Sequence, residues 1–129
     1  MFDKQKNNTS KDLVGKINRI AEGTKIKGDI ESQVDFRLDG ELIGNFSSGG
    51  KLVIGETGKI VGNIICKNLD VEGYYEGKVE VQELLSVKSK AVIRGEVSVG
   101  KLSVEPGAEF TATCKMTANT RGAEPINKK

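Results

Sequence analysis

Two thiols, eighteen carboxylates and no imidazole bound the chemistry open to this chain. Without histidine, the commonest general base and the Ser–His and Cys–His nucleophile pairs are missing. Cys66 and Cys114 stand far apart and form no CxxC pair, so no metal site of familiar spacing is present and no metal or cofactor is expected. They read as small buried hydrophobes in a reducing compartment. Gly55-Glu56-Thr57-Gly58-Lys59 suggests a phosphate loop at first sight. Such a loop needs four residues between its glycines and a Ser or Thr after the lysine. Here two residues separate the glycines and Ile60 follows. Asp29, Asp35, Asp39 and Glu41 occur singly and read as solvated charges. No enzyme and no nucleotide site is expected.

Charge sets the next limits. Residues 1–18 carry +2, residues 115–129 carry +3, and the whole chain carries +2, which leaves about −3 for the body. Two basic ends around a mildly acidic body do not suit a dedicated nucleic-acid binder. The segment from Met1 to Lys11 has no apolar core, so no signal peptide is expected. No stretch approaches the roughly 20 apolar residues that span a bilayer.

The elements that position these residues are written in a repeat. An apolar-x-Gly-x-apolar unit runs Ile26–Ile30, Leu42–Phe46, Ile60–Ile64, Tyr75–Val79 and Ile93–Val97. A sixth copy, Phe110–Cys114, has Ala112 in place of glycine. Successive copies are 16, 18, 15, 18 and 17 residues apart. Between them lie alternating apolar pairs: Phe36/Leu38, Leu52/Ile54, Leu69/Val71, Leu85/Val87 and Leu102/Val104. Ile20 fits 18 residues before Leu38, with Asn18 breaking its pair. The step from pair to glycine unit is four or six residues, and the longer links hold turn formers such as Glu22-Gly23 and Pro106-Gly107. A two-residue insertion keeps the side-chain alternation, so it bulges without turning the strand over.

Period-two alternation inside a 15–18 residue repeat predicts short strands that bury one face only. Stacking the repeats builds the core that one repeat lacks. The expected architecture is an all-β parallel β-helix of about six coils, on the order of 30 Å long at about 4.8 Å per coil. Ile26, Leu42, Ile60, Tyr75, Ile93 and Phe110 form one inward column. Ile30, Phe46, Ile64, Val79, Val97 and Cys114 form another. The glycines are expected to form a small-residue column on the outward side, where the strand bends. A generic β-sandwich is the competing architecture.

With these glycine units, apolar pairs and short polar tails, the chain resembles the bactofilins from about Ile20 to Cys114. The start Met1-Phe2-Asp3-Lys4 is similar to the membrane-contacting start of some members. The resemblance implies a right-handed, three-sided solenoid. It also implies bacterial cytoplasmic filaments, formed without nucleotide, non-polar, and joined head to head and tail to tail. Such filaments lie at the inner face of the cytoplasmic membrane and scaffold cell shape, cell-wall enzymes or their membrane regulators.

The residues themselves point to self-association. Soluble solenoids cap their ends with polar or irregular structure, and no cap is evident here. The expected polymerisation surfaces are Leu13, Val14, Ile17 and Ile20 at one end, and Phe110, Cys114 and Met116 at the other. A short amphipathic cap helix competes for 13–20, and a plain core role competes for Phe110. Residues 1–16 and 117–129 are expected to be disordered tails around a domain at 17–116. Met1, Phe2, Lys4 and Lys6 suit weak contact with an anionic leaflet, multiplied along a filament. An inert solubilising tail is the alternative. A monomeric or dimeric β-solenoid that binds a cell-wall or protein partner is the competing function, and would stay small at high concentration.

Overall fold

The structure, a computed structural model, describes residues 17–117. The expected positions Met1, Phe2, Lys4, Lys6, Leu13 and Val14 lie outside the described residues, as do 118–129.

The described residues hold twelve strands and no helix. In chain order they are β1 (Ile17–Ile20), β2 (Lys25–Lys27), β3 (Ile30–Ser32), β4 (Asp35–Leu38), β5 (Glu41–Ile43), β6 (Phe46–Ser48), β7 (Lys51–Ile54), β8 (Lys59–Val61), β9 (Ile64–Val71), β10 (Tyr74–Val87), β11 (Val92–Val104) and β12 (Glu109–Met116). Every pairing is parallel. The pairings sort into three ladders wound around one axis, six coils in all. The first face stacks β1, β4 and β7 on the later segments of β9, β10 and β11. The second stacks β2, β5 and β8 on the starts of β10, β11 and β12. The third stacks β3 and β6 on the start of β9, then the middle of β10 and β11 and the end of β12.

The register reproduces the columns expected from the repeat. Ile26 pairs with Leu42, and the column continues through Ile60, Tyr75, Ile93 and Phe110. Ile30 leads through Phe46, Ile64, Val79 and Val97 to Cys114. Within the inner coils these side chains lose nearly all contact with water, as do Leu52, Leu69 and Leu85 of the first face. Phe36 and Phe46 meet edge to face with ring centroids 5.1 Å apart, which fills volume that a core poor in aromatics would otherwise lack. Tyr75 is fully buried, and its hydroxyl donates to the Gly62 carbonyl at 2.6 Å, so its polar tip is satisfied.

The variable links are the corners between the first and second faces. Each four-residue corner closes with an i to i+3 bond: Thr24 N to Ala21 O, Gly58 N to Gly55 O, Ala91 N to Lys88 O and Ala108 N to Glu105 O. The shorter corners at 39–40 and 72–73 omit this turn. At the other corners, side chains carry the axial bonding. The Asp29 carboxylate accepts from Asn45 N, the Asn45 side chain from Asn63 N, Asp35 from Lys51 N and Asn68 from Leu84 N. This explains short polar residues recurring there: each takes up a backbone N–H of the next coil.

The glycine column differs from expectation in direction. Gly44, Gly62, Gly77 and Gly95 all have positive φ, between 123° and 148°. A Cβ on any of them would run into the carbonyl oxygen of the preceding glycine. The missing side chain therefore points along the stack, not outward, and glycine is needed because successive coils touch backbone to backbone.

One thiol has a measurable consequence. Burial pushes the Cys66 thiol from its ordinary 9.0 up to about 12, and burial pushes the Tyr75 hydroxyl up as well. The folded chain holds these protons more tightly than the unfolded chain does. Their contribution is complete below pH 9 and is lost as pH rises toward about 12. The urea midpoint is expected to fall from about pH 9 upward, less steeply in Cys66→Val, a residue type already present at Val81 and Val99 of that column. A midpoint that stays level to about pH 11 would contradict this assignment.

Candidate self-assembly ends

Among the described residues, the inner coils are sealed above and below and the outer two are not. β1, β2 and β3 each pair with one strand only, as does β12. Half of the hydrogen-bonding groups on these strands have no ladder partner among the described residues, and such edges invite further pairing. Burial follows the same gradient. Ile20, Ile26 and Ile30 in the first coil, and Leu102, Phe110 and Cys114 in the last, are only half-buried, although their column mates are sealed. Val104 is 44% exposed and Met116 39%.

Among the expected end residues, Phe110, Cys114 and Met116 lie together on β12, and the Cys114 Sγ sits 3.9 Å from the Met116 Sδ. Phe110 ends the column beneath Ile93. Ile20 closes its column over Leu38. Ile17 is placed differently: it pairs with Asp35 in an outward column and is half exposed, so it borders the end face without lying on it. Asn18 takes the inward place over Phe36, and its amide donates to Ser32 Oγ at 3.5 Å. Residues 17–20 form a strand, which removes the cap helix for that stretch. Thr117 N still bonds Val99 O at 2.7 Å, one residue past the expected domain limit.

The ends also include residues that the reading of the sequence did not assign to them: Ile26 and Ile30 on one side, Leu102 and Val104 on the other. The signal was available, because the first and last members of every inward column must lie at an end.

The remaining candidates do not converge. Gly55–Gly58 is a turn that leads directly into β8, so no helix N-terminus faces it and no phosphate cradle forms. Among the described residues, no group of three or more His, Cys, Asp or Glu side chains could hold a metal ion. Several acidic side chains join surface ion pairs, such as Arg37–Asp39 at 3.0 Å and Lys51–Asp70 at 3.2 Å.

Residues 18–115 match the family model described as Bactofilin: Polymer-forming cytoskeletal. The chain belongs to the bactofilin family. No curated protein and no solved structure matches it. The matched span covers all six coils, so the repeat and the family describe the same object. As a bactofilin the protein is a polymer-forming component of a cytoskeleton. Polymer formation implies self-association, and a bactofilin with two open coil ends has surfaces suited to it.

Proposed function

We propose that this bactofilin assembles end to end, without nucleotide, into non-polar filaments at the inner face of the cytoplasmic membrane. There it serves as a scaffold for cell-wall enzymes or their membrane regulators and so for cell shape. The observation that carries end-to-end assembly is the burial gradient: the same apolar columns are sealed in coils two to five and open in coils one and six. Fully burying a Val, Leu or Phe contributes about 1.5–3 kcal/mol. Several half-buried residues per junction, together with the open strand edges, are enough to offset the association cost in part. Like ends pairing with like gives two-fold axes between subunits. The test is negative-stain microscopy of the purified chain without nucleotide or divalent metal. Thin filaments are expected; particles of one or two subunits at high concentration would favour the solenoid binding module instead.

Membrane attachment is assigned to Met1, Phe2, Lys4 and Lys6. Each basic residue near an anionic surface contributes about 1 kcal/mol, which is weak singly and strong when repeated along a filament. Deleting residues 1–6 is expected to release filaments from anionic liposomes while leaving their length unchanged. Co-sedimentation equal to that of the intact chain would remove the assignment.

A further inference from the structure

The outward side of the second face carries two columns. One reads Lys25, Glu41, Lys59, Tyr74, Val92, Glu109 and the other Lys27, Ile43, Val61, Glu76, Arg94, Thr111. Ile43, Val61, Tyr74 and Val92 form a partly exposed apolar band across four consecutive coils. The other faces have no such band: the third shows only Ile65 among Ser47, Glu80, Ser98 and Lys115, and the first scatters Ile17, Val53 and Leu84. Lysines begin the second face and a glutamate ends it.

We propose that this face is a lateral contact on which two rods pair antiparallel, joining neighbouring filaments; it rests on the end-to-end reading above. The occupant is a second copy because the face is complementary to itself when reversed. Coil one then meets coil six, coil two meets coil five and coil three meets coil four. Lys25 lies opposite Glu109, with Lys27 diagonal to it. Glu41 lies diagonal to Arg94. Lys59 lies opposite Tyr74 and diagonal to Glu76. Ile43 lies opposite the Arg94 stem and diagonal to Val92, and Val61 lies opposite Glu76 and diagonal to Tyr74. A parallel pairing does the reverse: it gathers Lys25 and Lys27 of both copies at one end with no carboxylate opposite, which is unfavourable.

Within one chain these charges have only solvent-exposed partners. Arg94 meets Glu109 at 3.4 Å, Lys59 lies 5.4 Å from the Tyr74 ring centre, and the Tyr74 hydroxyl donates to Glu76 at 2.7 Å. Exposed pairs of this kind are worth little and exchange readily. The face is about 30 Å by 10 Å, on the order of 300 Å² per copy. That is well below the roughly 800 Å² per partner of a stable interface. A single contact therefore fails to hold two rods, and the repetition along filaments supplies the avidity. The product is a bundle and not a soluble dimer.

The test uses Glu41 and Arg94, which lie in coils two and five, away from both ends. The full chain is compared with Glu41→Arg, Arg94→Glu and the double variant carrying both. High-speed sedimentation reads filaments, low-speed sedimentation reads bundles, and microscopy gives widths. Each single reversal places like charges together and is expected to lower the low-speed fraction at least threefold, with the high-speed fraction unchanged; the double variant restores bundling. Raising salt from about 0.05 M to about 0.5 M is expected to disperse wild-type bundles. Wild-type filaments that never bundle, single reversals that bundle normally, or a double variant that fails to recover would each overturn the lateral contact alone. A wild type absent from the high-speed pellet would overturn the end-to-end reading, and the lateral contact with it.

Discussion

Phe110→Arg is expected to leave a folded rod that stops at particles of no more than two subunits. Phe110 is the last member of its column, packed on Ile93 from one side and half-open on the other. In a single subunit an arginine there lays its aliphatic stem on Ile93 and keeps its guanidinium in water, so little stability is lost. At a junction the same guanidinium is desolvated without a carboxylate partner, and against its own copy if like ends pair. Uncompensated burial of a charge costs several kcal/mol. At about 1.4 kcal/mol per tenfold, the concentration needed for assembly should rise at least about 100-fold. Ile65→Arg is the control: Ile65 is more exposed, at 49%, and lies on the side of the rod. Velocity sedimentation and microscopy should show small particles for the first variant and filaments for the second. Long filaments from Phe110→Arg would remove β12 from the junction.

The second large effect concerns backbone. Gly62→Ala should be severely destabilising, whereas Gly28→Ala should be tolerated. Both glycines have positive φ, 145° and 134°, so each alanine incurs conformational strain of about 1–3 kcal/mol. They differ in what lies before them. A Cβ on Gly62 would meet the Gly44 carbonyl, whereas a Cβ on Gly28 meets nothing within 4 Å, since among the described residues no coil precedes it. The clash forces coils two and three apart and raises the cost to at least about 4 kcal/mol, beyond the usual range for one substitution. For a domain near 100 residues, each kcal/mol moves Tm by about 4–8 °C. Thermal melts followed by circular dichroism, made in the Phe110→Arg background so that polymer does not add stability, should therefore separate the two variants by at least about 4 °C. Equal melting temperatures would mean that the coils are not spaced by their glycines.

The same contrast shows how much was readable beforehand. Ile26 through Phe110 and Ile30 through Cys114 could be aligned from spacing alone, since a ladder keeps a column in register whatever the corner length, and the structure pairs them accordingly. The third face hid its second inward column. There Ser32 pairs with Ser48, while Cys66, Val81, Val99 and Met116 follow in later coils. Two serines at the head of an inward column erase the apolar alternation. They are accommodated because their hydroxyls serve corner backbone: Ser32 and Ser48 Oγ donate to the Val34 carbonyl, and Ser48 Oγ accepts from Gly50 N. The direction of the glycine Cβ positions was equally hidden, because it depends on the approach of one backbone to another and not on any side chain. Ile17 was misjudged by one step of the pleat: its neighbour Asn18, polar as it is, occupies the inward position.

Every ladder links residues only 15 to 18 positions apart. Few parallel-sheet proteins have such short loops to close. Contact order is therefore low for a β protein, and folding can start at any inner pair of coils and spread outward as a zipper. The outermost turns, held from one side, close last and open first. A docking subunit supplies the missing neighbour, so amide protons of 109–116 should exchange quickly in the free rod and slowly in the polymer. Growth of the filament is then the final stage of folding, carried across the boundary between one chain and the next.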